Sequence, residues 1–423
     1  MRTEIDVVVR QRIAEIARRL SRILLRYSLA ILLPGLAYLV VSTGLTRGPY
    51  LEYALLGSLA IYLTAGFKRR DVLLILGATL LYSLAAWADR TGHPLSIRSI
   101  GTLLGAGGLA AAGLRTAMVP VAEWRRSVGT ASAAALFPAL VFGSLVVRRE
   151  LLGRTGDTYD LFAFALDQRY GVQLSFVLGR LFATWPSVGS FFGESYHVLP
   201  LLLGLLYGIT RRDVGSEQAF RVALLLFVAG ILGVAFYSMI PVCGPRFAFP
   251  DFPAETAPLY AGDLRLLALP TNIERNGVPS LHFAWALLVW WNLRRRSKAY
   301  RVLTGGFLAA TVVATLGTGE HYLVDLVVAV PFALILQALF MARPPVTEER
   351  RWMTMAIGLG LTLAWVLALR SATFVSSAPL LAVAALTVLS VVLPISMERA
   401  LWIHGPGSLA HHRSSVMRDS VPG

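Results

Sequence analysis

The sequence predicts an all-α protein, a polytopic transmembrane helical bundle of about twelve spans. Four observations predict it. Of 423 residues, 56% are hydrophobic and only 15% are charged, against roughly 25% charged in an average soluble domain. Mean hydropathy is +0.64. Apolar runs repeatedly approach the ~20 residues that a helix needs to cross a bilayer. Short basic clusters separate these runs, at Lys68-Arg69-Arg70, Arg125-Arg126, Arg211-Arg212, Arg294-Arg295-Arg296 and Arg350-Arg351.

Hydrophobic patterning places the spans near 24–45, 49–67, 71–88, 99–119, 127–147, 195–210, 217–240, 277–293, 302–318, 321–341, 352–370 and 376–396. Residues 1–23 are Arg-rich, with Val8, Ile13, Ile16 and Leu20 near helical spacing. They read as a cytoplasmic amphipathic helix lying on the headgroups. From a cytoplasmic N-terminus, about 25 of the 39 Lys and Arg fall inside and about 12 outside, in keeping with the positive-inside bias. The outer segment 148–194 interleaves Leu161–Leu166 and Phe176–Leu178 with Asp157, Asp160, Asp167, Arg169 and Arg180. It reads as one or two interfacial amphipathic helices. Gly101-x-x-x-Gly105 has the spacing of close helix packing.

The net charge of +15 belongs to the cytoplasmic loops, and no basic block is long enough for a nucleic-acid groove. No nucleic-acid partner is expected. The single cysteine, Cys243, excludes an internal disulfide and a multi-cysteine metal site. With only two lysines among the 39 basic residues, the chain reads as the product of a GC-rich genome and a bacterial inner-membrane protein.

Two segments carry chemistry. Val278-Pro279-Ser280-Leu281-His282 and Gly319-Glu320-His321-Tyr322-Leu323-Val324-Asp325 each put a histidine at the mouth of a span. An ionisable side chain beside hydrocarbon is costly and marks function by default. Residues four apart share a helix face, so Asp325 can take a proton from one ring nitrogen of His321 and leave the other free to attack. Pro279 suits the first turn of a helix. The N–H groups of Ser280, Leu281 and His282 would then point outward as an anion site, and His282 can act as general acid and base. Arg246, in Pro241-Val242-Cys243-Gly244-Pro245-Arg246, has the planar fork that clamps phosphate oxygens; Arg265 and Arg275 of the same loop are weaker candidates. With the N-terminus inside, all of these open on the same, non-cytoplasmic face. The alternative reading is a proton-coupled secondary transporter with His321–Asp325 as its relay; a membrane scaffold is a third.

Pro279-Ser280-Leu281-His282 followed by His321-Tyr322-Leu323-Val324-Asp325 resembles the type-2 phosphatidic acid phosphatase superfamily, and most of all its branch of inositol phosphorylceramide synthases and bacterial relatives. The resemblance covers about 127–341 and implies a catalytic six-helix phosphatase-like core there. Residues 24–126 and 342–398 are then accessory spans, and 399–423 a cytoplasmic tail. It implies that His321 is the nucleophile forming a phosphohistidine, that Asp325 orients it, and that His282 is general acid and then base. Arg246 and the Ser280 backbone would stabilise the pentacovalent phosphorus. It implies a membrane lipid substrate, a lipid or polyol hydroxyl as a further acceptor, no cofactor and no metal. The phosphatase pattern has a lysine where Met239 stands and an arginine where Thr315 stands. Fewer cations suit a singly charged phosphodiester, which favours headgroup transfer over hydrolysis.

Overall fold

The computed structural model describes residues 2–42, 49–65, 68–89, 97–151, 156–196, 198–253, 264–341 and 346–401. The expected cytoplasmic tail lies, beyond Leu401, outside the described residues. The helices are α1 (Arg2–Ser42), α2 (Pro49–Thr64), α3 (Arg69–Asp89), α4 (Ile97–Met118), α5 (Val121–Leu151), α6 (Asp160–Gln168), α7 (Leu174–Thr184), α8 (Pro186–Tyr196) and α9 (Leu199–Asp213). They continue with α10 (Ser216–Met239), α11 (Pro245–Ala248), α12 (Leu281–Leu293), α13 (Lys298–Gly317), α14 (Leu323–Met341), α15 (Glu348–Arg370), α16 (Ala372–Ser377) and α17 (Leu380–Ala400). Two short strands, β1 (Asp157–Thr158) and β2 (Leu267–Ala268), pair antiparallel. The protein is an all-α helical bundle of membrane type. By length and composition, six helices among the described residues can cross a membrane: Arg10–Tyr38, Ser216–Met239, Lys298–Gly317, Leu323–Phe340, Glu348–Arg370 and Leu380–Ala400.

The other expected spans fall on α2, α3, α4, α5, α9 and α12, of which α2, α9 and α12 are short, at 16, 15 and 13 residues. The stretch 277–293 is an example: its first four residues are loop and cap, which leaves the 13-residue α12. The basic stretch 2–22 and the first span are one unbroken helix, α1.

The chain forms two compact units, one of residues 1–142 and 200–223, the other of residues 143–199 and 224–423. In the first, α1, α2 and α3 each pack on α4. The small residues of α4 allow this, because helix association in lipid relies on close van der Waals contact. Of the Gly101–Gly105 pair, Gly105 is the close-packed one: a Cβ there would lie 2.6 Å from the Leu55 carbonyl carbon, whereas one at Gly101 would meet only the Leu56 side chain at ordinary distance.

In the second unit α14 is central, packed by α12, α15, α17 and α6. It is apolar on all sides, as a helix surrounded by others must be. A polar contact with α12 is satisfied reciprocally: Asn292 Nδ2 donates to Gln337 Oε1 at 3.0 Å, and Gln337 Nε2 to Asn292 Oδ1 at 3.3 Å. The segment expected as one or two interfacial helices folds as three, α6 to α8, and α6 is not superficial. Asp160, Leu161, Phe162, Ala163, Phe164, Leu166 and Asp167 are all buried. Phe164 and Phe176 pack with Phe249 and Phe252 of the following loop, in a core that continues through Tyr322 and Val324 to Trp365 and Val383. Arg169 ties α6 to the C-terminal helices by donating to the carbonyls of Val375, Ser376 and Ala378.

Candidate active site

Helices α10 and α13 end, and α12 and α14 begin, at one end of the second unit, and the connecting loops are bonded to one another. Gly277 N–H donates to Val242 O at 2.8 Å, Arg246 N–H to Gly319 O at 3.1 Å, and Ser280 N–H to Asp325 O at 3.2 Å. Segments far apart in sequence thus become one constellation, and the motifs around Arg246, His282 and His321 are brought together. Gly244 makes the second junction, with Gly319–Glu320, possible. Its φ is +101°, a region that favours glycine, and a Cβ would collide with the Glu320 carbonyl.

His321 lies in the turn before α14, fixed at both ends of its main chain. Its N–H donates to Thr315 O at 3.2 Å, and its carbonyl accepts from Ser175 Oγ at 2.9 Å. The ring is 3% exposed. Nδ1 stands 3.1 Å from Asp325 Oδ2, which also accepts the Tyr322 N–H at 2.9 Å. With Nδ1–H directed at the carboxylate, Nε2 is left as the basic nitrogen. Asp325 is fully buried on the first turn of α14, and its Oδ1 has no hydrogen-bond partner among the described residues.

The Pro-Ser-Leu-His segment differs in detail from the sequence expectation. Pro279 is not in the first helical turn: it follows a cis peptide bond, and α12 starts at Leu281 with Ser280 as its N-cap. The Ser280 N–H is therefore not an outward anion donor, because the extended backbone of an N-cap turns it onto the Asp325 carbonyl. What Ser280 offers instead is its hydroxyl. The residue is completely buried, and its Oγ makes neither a cap bond nor any other hydrogen bond. Leu281 packs tightly against Gly233 of α10. His282 is half-buried, edge-on to Trp285 with ring centroids 6.0 Å apart.

Arg246 sits on the short α11, half-exposed, with its guanidinium 4.8 Å from the Phe247 ring centroid. Its Nη1 donates to Glu320 Oε1 at 2.6 Å, so the cation is held beside the His321 segment by the residue that precedes His321. Arg275 is buried, and its guanidinium donates to loop carbonyls including Ile273 and Leu269; it braces the loop. Arg265 is exposed. Thr315 turns its hydroxyl to the Thr311 and Val312 carbonyls. Among the described residues no group of three His, Cys, Asp or Glu side chains is placed to hold a metal ion.

Residues 162–339 match the family model of the PAP2 superfamily. The match contains Arg246, Ser280, His282, His321 and Asp325. It supports the superfamily, whose members are phosphatases and phosphotransferases, and with the long apolar helices it suggests an enzyme of membrane phosphatase type. No curated protein and no solved structure matches the chain.

Two carboxylates that organise the loops around His321 carry no motif of their own. Asp160 accepts the N–H groups of Cys243 and Gly244, at 3.0 and 2.8 Å, and the Tyr322 hydroxyl at 3.1 Å. Asp167 accepts those of Leu323 and Val324, at 2.6 and 3.0 Å, and so caps α14. Both are buried on α6, the helix that sequence patterning assigned to the interface. Burial pushes the Asp160 carboxyl up to about 6, against the lowering effect of its backbone donors. Burial, with Asp325 adding to it, pushes Asp167 up to about 8. Sequence signal for this role is slight: two acids seven residues apart on a helix face, directly flanking an aromatic and aliphatic run.

Proposed function

We propose that the protein is an integral membrane lipid phosphotransferase of the inositol phosphorylceramide synthase-like kind. It transfers a phosphorus-bearing headgroup through a phosphohistidine at the outer leaflet of a bacterial inner membrane, in a topology of about twelve spans. The observation that supports this most is the buried His321–Asp325 pair lying on a backbone bonded directly to the Pro-Ser-Leu-His segment.

The chemistry follows from the positions. His321 Nε2 attacks phosphorus while the bond to the leaving alcohol breaks, and His282 gives that oxygen its proton. The Asp325 carboxylate stabilises the imidazolium that results, as a carboxylate does for a histidine base. Arg246 and the Ser280 hydroxyl face the charge that develops on the phosphoryl oxygens. In the second half His282, now neutral, takes the proton of an acceptor hydroxyl, whose oxygen attacks the phosphohistidine and frees Nε2. The acceptor is a lipid or polyol hydroxyl in preference to water, because Met239 and Thr315 leave the site short of the two cations expected for a dianionic monoester.

The test is a phosphoenzyme assay. With donor lipid labelled at phosphorus, the native protein is expected to yield an acid-labile labelled species, and His321→Ala to lose both label and turnover. Persistent turnover in that variant removes the assignment. Mass spectrometry of the lipids formed with and without a hydroxyl acceptor separates transfer from hydrolysis.

A further inference from the structure

Away from the candidate active site, the first unit holds a small, partly open recess of about 20 Å³. The ends of α2, α4 and α9 and the start of α5 surround it, through Tyr62, Arg115, Arg211, Arg126, Ser127 and Thr130. Its charges do not balance. Arg115 pairs with the buried Asp71 at 2.9 Å. Glu123, the acidic residue of the lining, is taken by Lys68 at 3.1 Å. Among the described residues neither Arg126 nor Arg211 has an ion-pair partner.

Arg211 is 8% exposed. Its Nη1 donates to Thr130 Oγ1 at 2.9 Å, and its Nη2 has no hydrogen-bond partner. Ser127, also 8% exposed, holds an unpartnered hydroxyl. A buried cation without a counter-charge is strongly unfavourable, as is a buried donor without an acceptor. Burial, with Arg126 and Arg115 adding to it, lowers the Arg211 guanidinium from its ordinary range. An anion with several oxygens would relieve all of this at once, by accepting from the Arg211 and Arg126 forks and from Ser127.

We propose that this recess is a second anion site, built to take a phosphate group, as a lipid headgroup or as inorganic phosphate. It shares no residue with the constellation around His321.

The experiment is calorimetric titration of the full-length protein in detergent, with His321→Ala and Arg246→Ala in place to suppress binding at the active site. The probes are inorganic phosphate, dioctanoylphosphatidic acid and, as the phosphate-free control, dioctanoylglycerol. Saturable binding of phosphate or phosphatidic acid is expected, with none of the glyceride. Adding Arg126→Gln and Arg211→Gln should weaken it by about tenfold or more. Similar affinity for both anions identifies phosphate itself as the ligand; binding of the lipid alone identifies a headgroup. Should the double glutamine variant fail to fold, Ser127→Ala, which removes only an unpartnered hydroxyl, decides: it should weaken binding several-fold while the melting temperature holds. No saturable binding, or affinity indifferent to these substitutions, overturns the proposal.

Discussion

At the scale of single residues, the candidate site sets groups with satisfied hydrogen bonds beside groups left without a partner among the described residues, and substitution tests what each does. Ser280 is the clearest case. Its amide is bonded to Asp325 O, while its buried hydroxyl is unpartnered. A buried hydroxyl without a partner costs about 1–3 kcal/mol. Ser280→Ala is therefore expected to leave thermal stability unchanged or slightly higher. If the hydroxyl meets the phosphoryl oxygens in the transition state, turnover should fall by about 10²–10³-fold, as for loss of one oxyanion donor. A fall in stability that tracks the loss of activity would assign Ser280 to packing. His282 is half-buried beside Trp285. Its replacement by alanine should reduce turnover by about 10²–10⁴-fold with donor binding retained, measured as the split between kcat and KM. Unchanged turnover argues against acid–base work. The contact of His321 with Asp325 was legible in the sequence, because a four-residue spacing at the start of a helix is a local feature. The pairing of Arg246 with Glu320 was not, because it depends on a contact across 74 positions.

At the scale of elements, α6 is the part that sequence patterning placed differently. Alternation of Asp160 and Asp167 with aromatic residues resembles the edge of an amphipathic interfacial helix. In the fold both carboxylates point inward, because the loop at Cys243–Gly244 and the first turn of α14 present backbone N–H groups that need acceptors. This has a pH signature. Below about 4 both the folded and the unfolded chain hold the Asp167 proton. Between there and about 8 the folded chain holds it and the unfolded chain does not, so stability falls as pH rises through this window and levels above it. Asp160 follows the same sign, with its window closing at about 6. Thermal melts in detergent should therefore decline from mildly acidic toward alkaline pH. Asp167→Asn should melt lower overall and lose the part of the slope between about 6 and about 8. A slope that persists in that variant would mean that another group titrates there.

At the scale of the whole molecule, the reading predicts headgroup transfer without a divalent ion. EDTA should leave turnover of the purified protein in vesicles intact, and loss of activity restored by a divalent cation would refute the two-histidine mechanism. Composition and the spacing of basic clusters by themselves determined that this is a helical membrane protein, since hydrocarbon thickness sets the length of apolar runs. The local motifs determined which residues are candidates for phosphoryl transfer. Tertiary structure alone decided that these motifs share one end of one unit, and that buried Asp160 and Asp167 hold their loops in register. It also decided that Pro279 precedes the helix, and that Arg126 and Arg211 face a common recess. The reason is physical: helix periodicity and hydropathy are written in neighbouring residues. Hydrogen bonds between loops depend on how separate helices pack, and no local pattern encodes which backbone N–H group will need an acceptor.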